Sequence, residues 1–174
     1  MRFLLVLLTF SLLSCGTSQK TVNVTTDADG NLVGLAEKAS FEVAPFNEWF
    51  SPNYKEYIPD NQVVNRLRPA LKGIKIKAVM GTWCGDSRRE IPHFYKLLDA
   101  TGFDYNNLEM ITVDRSKSTP NNEQEGLSIE RVPTFIFYKD GKEINRFVEY
   151  PRETLEKDFL KILQDVGYKH SYLD

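Results

Sequence analysis

The apolar run Ile74 to Met80, bounded by Gly73 and Gly81, gives way within a few residues to the amphipathic stretch Ser87 to Ala100. Ile91, Phe94, Leu97 and Leu98 fall on one face of that stretch and Gly102 closes it, so a strand hands over directly to a helix. A helix that leaves a strand in this way has to bury its apolar face on the strand's own sheet. The next apolar run, Leu108 to Val113, then returns as a neighbouring strand through a parallel crossover. Further on, Pro133 to Tyr138 and Glu143 to Val148 read as strands joined by the hairpin turn Lys139-Asp140-Gly141-Lys142, and Arg152 to Val166 reads as a last helix. Upstream, Asp60 is placed to cap a helix carrying Val63, Val64, Leu67 and Leu71, with Pro69 late in it. The order implies an α/β fold with a mixed central β-sheet flanked by helices on both faces. Ser116 to Ile129, polar and interrupted by Pro120 and Gly126, leaves room for a degraded helix or a long loop.

The two ends of the chain before Asp60 differ in kind. Arg2 precedes a nearly continuous apolar stretch, Phe3 to Leu13, which is too short for the roughly 20 residues that span a bilayer and suits a signal-peptide core. It ends in Leu12-Leu13-Ser14-Cys15, which resembles the lipobox of bacterial lipoproteins. The resemblance implies cleavage after residue 14 and lipidation of Cys15, whose acyl chains would hold the protein at a bilayer surface. Residues 15–20 then form the lipidated cysteine and a tether. Residues 21–59 form an N-terminal extension with a hairpin around Asp27-Ala28-Asp29-Gly30 and an aromatic helical cap at Phe46 to Ile58, and 60–174 form the main domain. The expected location is the cell envelope, lipid-anchored on the periplasmic side. Gly16, where an aspartate often marks inner-membrane retention, favours the outer membrane.

With Cys15 consumed by lipid, Cys84 is the one thiol left, so no disulfide can form inside a monomer. A net charge of -2 supplies no basic surplus to neutralise phosphates, so a nucleic-acid partner is not expected. Two histidines and a single remaining cysteine give no ligand set for a soft metal, and no cofactor is implied. Oligomeric state is not legible.

Cys84 lies where the strand hands over to the helix, in Trp83-Cys84-Gly85-Asp86-Ser87-Arg88-Arg89-Glu90-Ile91-Pro92. A helix N-terminus presents unpaired N–H groups and the positive end of the dipole, which favour an anion, and the thiolate is the reactive form of cysteine. Arg88 and Arg89 act in the same direction; Asp86 and Glu90 oppose it. Trp-Cys-x-x followed by Arg-x-Glu-x-Pro resembles the active site of the thioredoxin superfamily, in particular its TlpA/ResA-like membrane-tethered branch. Arg131-Val132-Pro133-Thr134 before a strand resembles the cis-proline loop of that family. The resemblance covers about Asp60 to Val166. It implies a thioredoxin-like fold, with Cys84 as nucleophile, Pro133 as the cis-proline facing it and Glu90 as an acid that tunes the thiol. Trp83, Gly85, Asp86 and Val132 would line the substrate site. Two positions depart from the family: its second cysteine falls on Ser87, and Ala78 stands where a buried carboxylate is common.

A serine cannot attack a mixed disulfide, so a dithiol cycle is closed to this chain. What remains is monothiol exchange with protein or small-molecule thiols and disulfides, suited to isomerisation or to removing mixed disulfides. The alternative is a redox-inactive thioredoxin-fold module that holds a peptide by strand-like pairing. A thiol peroxidase ranks below both, because Gly81 stands three residues before Cys84 where a hydroxyl residue would be looked for.

Overall fold

A computed structural model of the chain describes residues 22–173. The expected signal peptide, the lipidated Cys15 and the tether lie outside the described residues. The hairpin expected near the N-terminus is formed by β1 (Asn23–Thr26) and β2 (Leu32–Ala36). Its turn is held by Asp27, whose Oδ1 accepts the N–H groups of Asp29 and Asn31, the local bonding that suits aspartate to turns. Gly34 in β2 is a point of close approach, since a Cβ there would meet the Asn23 carbonyl oxygen at 2.2 Å.

A turn of 3-10 helix, Lys38–Phe41, leads to α1 (Asn47–Glu56), which keeps Pro52 within it. The helix α2 (Asn61–Ala70) begins at Asp60, whose side chain accepts the Gln62 N–H at 2.7 Å and so satisfies one of the orphan donors of the first turn. Then follow β3 (Ile74–Met80), α3 (Gly85–Thr101), β4 (Leu108–Thr112), β5 (Thr134–Lys139), β6 (Lys142–Val148) and α4 (Leu155–Leu163). The last helix is shorter than the expected span from Arg152. Asp158 explains why: its carboxylate accepts the N–H groups of Arg152 and Glu153, folding those residues into a loop ahead of the Thr154 cap.

The six strands form one mixed sheet in the order β1-β2-β4-β3-β5-β6. Only β3 and β4 are parallel, linked by α3; β2 runs antiparallel to β4. Two helices, α1 and α2, stand between β2 and β3. The α/β class read from the sequence is the one the chain adopts. Buried residues of all four helices join one core on one face of the sheet, where Phe94 stacks on Phe135 at 4.3 Å. Where a second layer of helix was expected, the opposite face is closed by the connection 113–133, which contributes Val113, Leu127 and Val132 and contains no helix or strand. Among the described residues, no helix is long and apolar enough to cross a membrane.

Candidate functional site

At the C-terminal end of β3 the chain makes one tight turn, with the Cys84 N–H bonded to the Gly81 carbonyl at 3.0 Å. Cys84 keeps extended backbone angles as the N-cap of α3, and its own carbonyl accepts the Arg88 N–H to start the helix. This is why α3 begins two residues before Ser87. Two strands and α3 itself fix the turn. Thr82, 1 % exposed, accepts the Leu32 N–H through Oγ1, tying the turn to β2. The Trp83 indole N–H donates to the Val113 carbonyl at 2.9 Å, tying it to the end of β4. The Arg88 guanidinium reaches back to the Thr82 carbonyl at 2.5 Å. Gly81 has no side chain because the indole lies over it: a Cβ there would sit 2.5 Å from Trp83 Cε2.

Cys84 is half-buried, and its thiol donates to the Val132 carbonyl at 3.2 Å. The Val132–Pro133 peptide is cis, and both residues are buried at the entry to β5. Two segments 48 positions apart in the chain thus meet at one sulfur. A second cis peptide, Ala44–Pro45, lies before α1 and was not anticipated.

Ser87 is fully buried behind the cysteine, and its Oγ accepts the Gly81 N–H at 3.3 Å. Its hydroxyl supports the turn and makes no hydrogen bond with Cys84. Gly85 is exposed at the start of the helix, and the half-buried Asp86 accepts from Arg89 at 2.7 Å. Glu90 is 3 % exposed and stands about one turn further along the helix, accepting from Arg89 at 2.8 Å with His93 Nδ1 3.7 Å away. The Tyr57 ring stacks on His93 at 4.5 Å, and its hydroxyl donates to Glu156 at 2.5 Å. Burial, then the Glu156 and Glu90 carboxylates, push the Tyr57 phenol far above its ordinary range and keep it protonated.

The structure therefore brings Trp83, Cys84, Val132 and Pro133 together, sets Ser87 beneath them, places Gly85 and Asp86 on the rim and puts Glu90 deeper, on the side of Tyr57 and Glu156. Sequence reasoning missed Thr82, Val113 and Arg115, whose guanidinium lies 5.4 Å from the Trp83 ring, within cation–π reach. Their role comes from strand order, and no local spacing carries it. Among the described residues no group of three or more His, Cys, Asp or Glu side chains is placed to hold a metal.

Comparison with known proteins agrees with this architecture. A family model described as thioredoxin matches residues 47–160. A thioredoxin-like protein of Acanthamoeba polyphaga mimivirus is 28% identical over 110 residues, 63% of this chain and 77% of its own. Thioredoxin of Gallus gallus is 31% identical over 91 residues, 52% of this chain and 81% of its own. A crystal structure of a Pseudomonas aeruginosa protein of unknown function shares the fold with a TM-score of 0.56 at 14% identity, covering 75% of this chain and 92% of that one.

Proposed function

The chain belongs to the thioredoxin family, and on that footing we propose that it is a monothiol exchanger, a TlpA/ResA-like lipoprotein held at a membrane through lipid on Cys15. Cys84, as thiolate, attacks one sulfur of a disulfide R–S–S–R′. The Cys84–S–S–R bond forms as the R–S–S–R′ bond breaks, and R′–S⁻ leaves. A second thiolate R″–S⁻ attacks the R sulfur of the mixed disulfide, giving R–S–S–R″ and returning Cys84 as thiolate. No electrons enter or leave, so the cycle moves a disulfide between partners and needs no cofactor.

One observation carries this reading. A single half-buried thiol stands at the N-cap of a 17-residue helix, 3.2 Å from the Val132 carbonyl, with a buried serine where a resolving thiol would have to be. Cys84 stands at the N-cap of α3, and the thiolate is the form of cysteine that attacks a disulfide. Val132 and Pro133 form the opposite wall, and Trp83 and Asp86 flank the opening, so a substrate's extended chain would lie between them.

The test is to express the protein in its host, quench thiols with acid and identify what is disulfide-linked to Cys84. Reductant-sensitive adducts on Cys84, absent from Cys84→Ser, are expected. Capture of the same partners by Cys84→Ser would instead indicate a binding module without redox chemistry. The anchor is tested in the same cells. Cys15→Ser should move the protein from the membrane pellet to the soluble fraction, and unchanged fractionation would exclude lipidation there.

A further inference from the structure

Eleven residues along α3 from Cys84, or about 16 Å at 1.5 Å per residue, the structure has a concavity. It measures about 420 Å³, within the range of small-molecule sites, and Ala36, Tyr95, Tyr105, Leu108 and Met110 form its walls. Tyr95 is 1 % exposed, and its hydroxyl has no hydrogen-bond partner among the described residues. The ring is held by Phe41, Phe50, Phe94 and Tyr105, with centroids 5.7–6.1 Å away. Phenylalanine would make those ring contacts without leaving a buried polar atom unsatisfied, so the hydroxyl needs a reason of its own. The neighbouring phenols have theirs: Tyr54 and Tyr105 both donate to Asp99, at 2.5 and 2.6 Å.

Charge at the opening selects the class of ligand. Glu37 and Glu42 flank the cavity with Lys38 between them, and Asp99 lies beside it. Lys38 is committed to Asp99 at 2.6 Å and lies 3.9 Å from Glu42, while Lys96 lies over the Tyr54 ring at 4.6 Å. Three carboxylates thus face two lysines, and Glu37 makes no ion pair among the described residues. Burial, then Glu37, Asp99 and Glu42, push the Tyr95 phenol up, which keeps it protonated and shows that these carboxylates bear on it.

We propose that this cavity binds an ammonium group carried on an apolar stem, the ammonium lying between the Tyr95 hydroxyl oxygen and the Glu37 and Glu42 carboxylates and the stem against Leu108 and Met110. An anion of the same shape is repelled by the same carboxylates. The site stands apart from the thiol chemistry and holds whether or not Cys84 exchanges disulfides.

The test uses the full chain, with phenethylamine as probe, 3-phenylpropionate as the probe of opposite charge and N-acetyl-lysine amide as the same ammonium on a peptide. Calorimetry and amide shifts of Ala36, Glu37 and Asn106 read binding. Phenethylamine should saturate one site at least about tenfold more tightly than 3-phenylpropionate, and Tyr95→Phe should weaken it about tenfold, the worth of one lost hydrogen bond. Tyr95→Phe should fold at least as well as the parent and leave Cys84 alkylation unchanged. Ala39→Trp, at an exposed position on the cavity rim, should abolish binding without touching the core. Tighter binding of N-acetyl-lysine amide than of phenethylamine would assign the site to a partner's lysine, and the reverse order to a free amine. The proposal is overturned if no probe saturates at millimolar concentration, if 3-phenylpropionate binds as well, or if both substitutions leave affinity unchanged.

Discussion

Ser87 decides what Cys84 can do. It lies three residues into the same helix, fully buried, and its Oγ accepts the Gly81 N–H, so the serine props the turn that presents the thiol. Ser87→Cys should therefore have two opposing effects. Replacing the hydroxyl loses that bond at a cost of about 1 kcal/mol. In exchange, the chain gains the second thiol that a two-electron cycle requires. The variant should form an internal disulfide on oxidation and reduce a protein disulfide with turnover in the presence of dithiothreitol, at least about tenfold faster than the parent. Thiol titration before and after oxidation reads the first effect, and turbidity of reduced insulin the second. A variant that keeps both thiols free under oxidant would mean that position 87 is turned away from the sulfur. The sequence made Ser87 legible as a missing thiol, but its bond to Gly81 was not legible. That contact arises only because the turn folds back over the first turn of α3.

Elements are joined across the helical face by a single carboxylate. Asp99, near the end of α3, accepts from Lys38 of the 3-10 turn at 2.6 Å, from Tyr54 of α1 at 2.5 Å and from Tyr105 at 2.6 Å. Burial raises its pKa, but these three donors outweigh burial and hold the carboxyl below its ordinary range. A depressed carboxyl stabilises the fold above its unfolded pKa of about 3.9, and that contribution is lost as pH falls through the folded value. Asp99→Asn should lower stability at pH 7 by about 1 kcal/mol, a modest figure because the site is partly open to solvent. The gap from the parent should begin to narrow below about pH 4 and go on narrowing as pH falls towards the folded value. Thermal melts of both proteins from pH 7 to 2 check this, and a gap that does not narrow at all below pH 4 would show that the carboxylate charge is not what joins the elements. None of this clamp can be read from spacing, since its members lie at positions 38, 54, 99 and 105. The handover from β3 to α3 and the β5–β6 hairpin were legible, because each is set by local pattern and turn residues. In that hairpin Asp140 and Gly141 both take positive φ, as a two-residue turn between twisted strands demands. Strand direction was not legible: apolar runs reveal strands, and nothing local to β2 says that it runs antiparallel to β4, a partner more than 70 residues along the chain.

At the scale of the whole molecule, the residues before Asp60 share one core with those after it. Phe41, Phe46 and Phe50 belong to the same core as the strands and the other helices, and β2 lies inside the sheet beside β4. The hairpin also reaches the thiol turn directly, through Leu32 N–H to Thr82 Oγ1 at 3.1 Å, and it meets β4 through Thr112 Oγ1 to the Gly34 carbonyl at 3.0 Å. The sequence pointed to a hairpin and an aromatic cap here, but which core they complete depends on contacts with residues far along the chain. Burying three phenylalanines at about 2 kcal/mol each contributes about 6 kcal/mol, comparable with the whole net stability of a domain at about 5–15 kcal/mol. A chain that starts at Asp60 should therefore lose its cooperative urea transition. Its Cys84 should alkylate at the rate of an unstructured thiol, because the strand that anchors Thr82 is gone. Both readouts are needed: a chain that melts cooperatively yet alkylates at Cys84 at a rate different from the parent's would place the hairpin's role at the turn alone. A truncated chain that keeps the parent's urea midpoint and thiol reactivity would make 60–174 self-sufficient, and would reduce β1, β2 and α1 to an attachment on a finished fold.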